Sequence, residues 1–539
     1  MKKIFLATIC ILIFSPALLA QRSAPLANEG KEGLYARSIE QVLRLSDNQV
    51  DLATAVLISS ELWSDNWSEI VNGRIYLSKL DEMALEIREM LRRRKLGADF
   101  RAIPVMNDYL FSKQGFKSIS EATDPNSLFL HTVIDKKEGY CLSMAILYLS
   151  IGERLGLPLH GVVVPGHFFV RYDDGRVRFN IETTSKGGSA PDEHYINKFK
   201  VPRLNGRSIY LKNLTKIQTL GCFFNNLGNS YSDVGDIESA LLAFERAVQI
   251  NPALSESRAN LGNIYLKKNQ VAQAIREYLA ALDVNPMDAK THNNLGNAYT
   301  QRGSLGYAVS EYRQSIELDP NFVDAYKNLA LVYSKQERYG QAIAELKKTI
   351  ILGIQDAGCY GQLGDIYSKT EDYGQAVIHY KKALDIQQDY LEAHYGLAVC
   401  YSKMGMVEDE ILQYKMILAI KPDMLSALVN LGNAYFGQDK YGVAIEQYKK
   451  AVQLEPQEPM VYYNLGAAYS NNEQYEQAVA AYLKAVEIDP AIGDAHYGLA
   501  FGYYQLNKFD LAWKHIKIAR DLGVKVTEDQ LNAIKSRLQ

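Results

Sequence analysis

From Leu227 to Leu499 a leucine recurs every 34 residues, and a tyrosine follows each one four positions later, from Tyr231 to Tyr503. Residues four apart share one face of a helix, so every pair predicts a first helix with an apolar stripe. Thirteen positions after the leucine stands a small residue, Ala240, Ala274, Ala308, Ala342, Ala376, Ala444, Ala478 or Ala512, with Glu410 as the exception. Four residues further on comes a bulky one, in order Phe244, Tyr278, Tyr312, Leu346, Tyr380, Tyr414, Tyr448, Tyr482 and Ile516. This stripe predicts a second helix that alternates close approach with a large knob. Proline ends six units, at Pro252, Pro286, Pro320, Pro422, Pro456 and Pro490, where the missing N–H stops one helix before the next begins. A helical hairpin repeated at this period buries its faces only by stacking on copies of itself. Residues 221–526 therefore predict an α-solenoid of nine units, and residues 527–539 a polar capping helix. Ile354 and Gln388 replace the proline in two units, which predicts a local change of pitch.

Ahead of the array the period is lost, and residues 31–215 predict a separate α+β domain in a chain that is otherwise mainly α. Apolar positions at helical spacing run from Asp51 to Trp63 and from Leu77 to Leu96. The second stretch ends in a basic run, Arg92 to Lys95, which reads as a solvated helix end. Cys141 to Ile151 is apolar on nearly every side, as a buried helix is, with Cys141 in its first turn. Three strand-like segments follow, Leu159–Val164, His167–Tyr172 and Val177–Glu182. Taking Asp174-Gly175 as a two-residue hairpin turn pairs Asp173 with Arg176. His167 then falls directly opposite Glu182, with Cβ atoms about 4.5–5.5 Å apart, and Asn180 shares that face.

With 539 residues the chain exceeds a single core. A net charge of −3 without long runs of one sign argues against nucleic-acid binding. Met1-Lys2-Lys3, the apolar stretch Ile4 to Phe14 and the segment Ser15 to Ala20 form the three zones of a secretory signal. The apolar run is short for a membrane span. Removal of residues 1–20 is expected, with an uncleaved anchor as the alternative and a bacterial periplasm as the simplest destination. Cys141, Cys222, Cys359 and Cys400 lack the spacing of a disulfide framework or a zinc site, so no metal or cofactor is expected. The last three lie in repeat helices, where cysteine is ordinarily a small buried residue.

Cys141 differs, because the free N–H groups and dipole of a helix start favour a thiolate and so supply a nucleophile. His167 is the candidate to take and return its proton, Glu182 to hold the imidazole tautomer, and Asn180 to assist. The Cys141 backbone N–H, with Asn126 as an upstream side chain, is the candidate oxyanion donor. Each residue alone has a plainer structural reading, as a buried thiol, a satisfied strand histidine or an edge charge. Their order and spacing together make the site, in the arrangement of a papain-like enzyme.

Two resemblances extend this reading. The 34-residue units, for example Asn293-Asn294-Leu295-Gly296-Asn297-Ala298-Tyr299, resemble tetratricopeptide repeats. The segments Gly139-Tyr140-Cys141, Leu155-Gly156-Leu157-Pro158 and Pro165-Gly166-His167-Phe168-Phe169-Val170, with Asp124-Pro125-Asn126-Ser127 upstream, resemble the transglutaminase-like superfamily, in particular its bacterial SirB-like branch. That resemblance implies cysteine-dependent acyl chemistry as a peptidase, amidase or transferase. The family's usual third member is aspartate, where this chain has Glu182. Resemblance to repeat arrays with asparagine ladders implies a groove that holds an extended peptide through Asn226, Asn229, Asn260, Asn263, Asn294, Asn297, Asn328, Asn430, Asn433 and Asn464. Two readings follow: an exported enzyme whose array recruits a protein or peptide, or a non-catalytic scaffold for an envelope assembly. Oligomeric state is left open.

Overall fold

A computed structural model describes residues 25–63, 71–119, 124–202, 208–353 and 355–538. The leader expected at residues 1–20 and Ile354 lie outside them. Two compact units divide the chain, residues 1–318 and 319–539, and each is described by itself.

In the first unit two short helical turns, Glu32–Tyr35 and Ile39–Val42, precede the helices Leu52–Trp63 and Gly73–Arg93. Arg92 and Arg93 at the end of the second pair with Glu89 at 2.6 and 2.9 Å and stay largely in solvent, as expected for a helix end. A short parallel pair, β1 (Lys117–Ser118) and β2 (Glu138–Gly139), fixes the backbone just before the cysteine. A Cβ on Gly139 would lie 2.8 Å from Ser143 Oγ, so this approach requires glycine. The cysteine helix, Cys141–Leu155, is buried along almost its whole length. It packs on an antiparallel sheet in the order β3 (Leu159–Val164), β4 (His167–Asp173) and β5 (Arg178–Ile181).

The β4–β5 register corrects the sequence expectation by two residues. Asp173 pairs with Arg178, and Arg171 with Asn180. The tight turn is Gly175-Arg176, one step later than predicted, closed by Asp174 N–H donating to Val177 O at 3.3 Å. Gly175 takes φ +83° at the first central position, where Gly-X turns need it. The Asp174 carboxylate holds this turn by accepting the Arg176 and Val177 N–H groups at 2.8 and 2.7 Å. A shift of two residues preserves which face each side chain occupies, so His167 and Glu182 still share a face, now as diagonal neighbours.

Three helical hairpins complete the first unit: Lys216–Asp233 with Ile237–Ile250, Ser255–Lys267 with Val271–Val284, and Ala289–Gln301 with Leu305–Leu318. The hydrophobic core does not stop at the predicted boundary. One continuous cluster runs from Leu26 through the cysteine helix to Phe223, Leu227, Phe244 and Ile264. Phe129 meets Phe223 with ring centroids 6.2 Å apart, and Arg246 pairs with Glu40 at 2.9 Å.

The second unit holds six further hairpins, from Val323–Lys335 with Tyr339–Ile351 to Gly493–Gln505 with Phe509–Asp521, and the helix Glu528–Lys535. Thr527 and Gln530 cap that last helix, which buries Leu531 and Ile534. In six hairpins the knob of the second helix lies on a glycine of the first, and Ala330, Ala398 and Ala500 take that position in the other three. A Cβ on Gly262 would sit 2.6 Å from the Tyr278 ring, and one on Gly432 2.5 Å from that of Tyr448. Glu410, in the alanine series, is buried, and that burial raises its pKa. Every hairpin turns through one residue at positive φ, again 34 apart: Gly235, Asn269, Gly303, Glu337, Glu371, Gly405, Asp439, Glu473 and Asn507. Among the described residues no helix is long and apolar enough to cross a membrane.

Candidate active site

Cys141 is the first residue of its helix, after Tyr140, whose N–H donates to Ser143 Oγ at 2.8 Å. The N–H groups of a first turn have no partner inside the helix, so the thiol sits beside free donors. The side chain is partly exposed, unlike Cys222, Cys359 and Cys400, which are buried. Burial pushes the thiols of all three upward, that of Cys359 to about 11.

His167 opens β4 and faces Cys141. Its Nε2 lies 2.7 Å from Glu182 Oε2, and Cys141 lines the same pocket as the ring. With Nε2 engaged by the carboxylate, Nδ1 is the nitrogen left for the thiol. Burial pulls the imidazole pKa down, but the Cys141 and Glu182 contacts outweigh it and lift it to about 9. Burial raises the Glu182 pKa, and the His167 and Thr184 hydrogen bonds more than reverse that, leaving it lowered. The second carboxylate oxygen, Oε1, accepts the Thr184 hydroxyl at 2.6 Å and its N–H at 3.2 Å. Glu182 is thus held at both oxygens.

The imidazole plane is set by aromatic rings that the sequence reading did not single out. Phe199 stacks on it with centroids 4.8 Å apart and planes 4° from parallel, and Tyr195 reaches Glu182 Oε2 at 3.5 Å. Both rings lie on the short helix Asp192–Phe199, where their spacing of four was the available signal. Arg171, fully buried, ties that helix to β4 through Asp192 at 2.5 Å.

Asn180 does not orient the histidine. Its Oδ1 accepts from Arg171 Nε at 2.7 Å, and its amide donates to Ala190 O and Asp192, because the shifted register sets it opposite Arg171. Asn126 lies in the turn Pro125–Leu128, its own N–H donating to Asp124 Oδ1 at 2.9 Å.

The asparagines divide into two groups. Asn226, expected in the peptide groove, lines the cysteine pocket instead, together with Asn225 and with Glu256 of the second hairpin. This pocket measures about 100 Å³. Asn229, Asn260, Asn263 and Asn294 line a groove of about 460 Å³ on the first three hairpins. Much of their hydrogen-bonding capacity is used internally. Asn260 donates to Asn229 at 3.0 Å and to Asn225 at 3.2 Å, and Asn294 donates to Asn263 at 2.9 Å. Asn263, Asn297 and Asn433 accept the hydroxyls of Tyr278, Tyr312 and Tyr448 at 2.7–2.8 Å. Asn430 donates to Tyr395 at 3.2 Å. Asn328 and Asn464 occupy the equivalent place on helices Val323–Lys335 and Pro459–Asn471.

Comparison with known proteins agrees with this architecture. Residues 74–219 match the model of the transglutaminase-like superfamily. Residues 432–473 and 459–491 match models of tetratricopeptide repeats, and residues 223–421 that of the cilia and flagella-associated protein 70 C-terminal domain. Two UPF0162 proteins of Xylella fastidiosa strains are similar: one is 26% identical over 38% of this chain and 73% of the relative, the other 30% identical over 29% and 53%. The chain therefore spans between about half and three-quarters of these relatives. Among solved structures, MamA is 27% identical, covering 30% of this chain and 94% of its own, with a TM-score of 0.29.

Proposed function

With a transglutaminase-like domain joined to tetratricopeptide repeats as premise, we propose that this protein is an exported, cysteine-dependent acyl-group enzyme acting on a peptide or protein held by its repeats. The two kinds of module together support the coarser reading of a protein-interaction scaffold. The catalytic reading is carried by one observation: a partly exposed thiol at a helix start shares a pocket with an imidazole whose Nε2 lies 2.7 Å from a carboxylate.

In the proposed reaction Cys141 Sγ, as thiolate, attacks a carbonyl carbon of the substrate and the Cys141 N–H meets the developing oxyanion. The C–N bond breaks, the leaving amine takes a proton from His167, and a thioester remains on Cys141. Water or an incoming amine then gives a proton back to His167 as it attacks, and the thiolate departs. Glu182 stabilises the imidazolium and fixes its tautomer. Phe199 restricts the ring's rotation.

p-Nitrophenyl acetate tests this without knowledge of the substrate. The expected result is a burst of p-nitrophenol with an acetyl thioester on Cys141, found by peptide mass spectrometry and lost in Cys141→Ala and His167→Ala. Acetylation that is equal in wild type and His167→Ala would leave the scaffold reading in its place.

A further inference from the structure

The cysteine pocket is not built by the transglutaminase-like domain alone. Cys141, His167 and Phe168 line one side of it, and Asn225 and Asn226 of the first hairpin line another with Glu256, the second residue of helix Ser255–Lys267. Each hydrogen-bonding group there has a definite remaining capacity. An ionised carboxylate offers about four acceptor sites and no donor. Glu256 uses Oε1 for the Tyr210 hydroxyl and Oε2 for Ser255 Oγ at 3.3 Å, which leaves acceptor capacity on both oxygens. Asn225 Oδ1 already accepts from Asn260, so Asn225 presents N–H donors. The positive charge of His167 is balanced by Glu182 at 2.7 Å. With His167 paired to Glu182, Glu256 and the Cys141 thiolate of the proposed reaction are the acidic groups that face no cation among the described residues lining the pocket.

Resting on the catalytic reading above, we infer that the first two repeats complete the substrate subsite. Glu256 makes it select a substrate group that carries N–H donors or positive charge and reject a carboxylate. The selected class is a peptide whose residue beside the reacting carbonyl ends in an amide, amine or guanidinium. Burial raises the Glu256 pKa and so favours the neutral acid in the free protein, and an incoming cation or N–H donor would draw it back to the carboxylate. Asn225 links this pocket to the groove through Asn260 and Asn229. A chain lying along Asn229, Asn260 and Asn263 would thus run past the subsite.

Charged thiol probes of similar size test the assignment on the full chain. Labelling of Cys141 is followed by peptide mass spectrometry with the cationic 2-aminoethyl and the anionic 2-sulfonatoethyl methanethiosulfonate, each normalised to the neutral methyl reagent in the same protein. The thiolate displaces methanesulfinate in every case, so only the charge of the transferred group differs. Wild type should favour the cation by about tenfold, the low end of what a one-signed cleft produces. Glu256→Gln should bring the ratio near unity, and Glu256→Asp should keep most of it. A wild-type ratio at or below unity overturns the inference, as does a ratio unchanged by Glu256→Gln. If the neutral reagent labels Cys141 no faster than Cys222, the catalytic reading fails and takes this inference with it.

Discussion

Replacing Glu182 by Gln keeps the side-chain shape and removes the charge facing His167. The substitution abolishes a charge-assisted hydrogen bond of 2.7 Å between side chains 13% and 15% exposed. Such a bond is worth about 1.5–3 kcal/mol, and at about 1.4 kcal/mol per pH unit its removal lowers the imidazole pKa by about 1–2 units. The His167 midpoint should therefore fall from about 9 to about 7–8. Because the folded pKa lies above the ordinary value near 6.5, the histidine's contribution to stability is complete below that value and is lost as pH rises through the folded midpoint. The variant should accordingly lose less stability between pH 7 and 9.5 than wild type does. Histidine-selective NMR titration, with His167→Gln to assign the resonance, measures the midpoint directly. A midpoint still near 9, or shifted by less than about half a unit, would refute the role given to Glu182.

Three further outcomes are expected. Asn263→Ala removes the acceptor of both Tyr278 and Asn294 and should cost about 1–3 kcal/mol in urea denaturation, more than Asn297→Ala, whose partner Tyr312 also touches Thr300. Burial and the neighbouring His496 hold the His515 pKa at about 4; the unfolded chain takes up that proton first, so stability of the last hairpins should fall by about 2 kcal/mol from pH 7 to 5. His515→Gln, which copies Gln413 opposite His394, should flatten that dependence in thermal melts. Expressed in a bacterium with residues 1–20 in place, the protein should be recovered from the periplasmic fraction with Gln21 as its first residue, as N-terminal sequencing would show.

The repeats were legible because each 34-residue unit repeats one packing problem. The leucine, glycine, alanine and knob positions are fixed by contact, and contact admits few residue types. The positive-φ turn has the same period yet does not stand out in the sequence, because Asn, Glu and Asp substitute for glycine at six of its nine positions. At the candidate site, Cys141, His167 and Glu182 could be placed by element type and strand parity. Parity survives a two-residue error in register, which is why Glu182 reaches His167 although the turn falls one step later than predicted. Asn180 depends on the register itself and holds Arg171 instead. Thr184 meets Glu182 in a local turn two residues on, whereas Phe199 and Glu256 join the site through tertiary packing, of which the four-residue spacing of Tyr195 and Phe199 is a faint trace. The asparagines showed the reverse problem: their regularity pointed to a ligand, whereas several are bonded to tyrosines and to one another.

The rate of Cys141 alkylation by iodoacetamide at pH 7.5, read residue by residue in wild type and His167→Ala, reports whether the histidine activates the thiol. Cys141 should react at least about tenfold faster than the buried Cys222, Cys359 and Cys400, and this advantage should disappear without the histidine. A Cys141 rate that is unchanged in His167→Ala would contradict that activation.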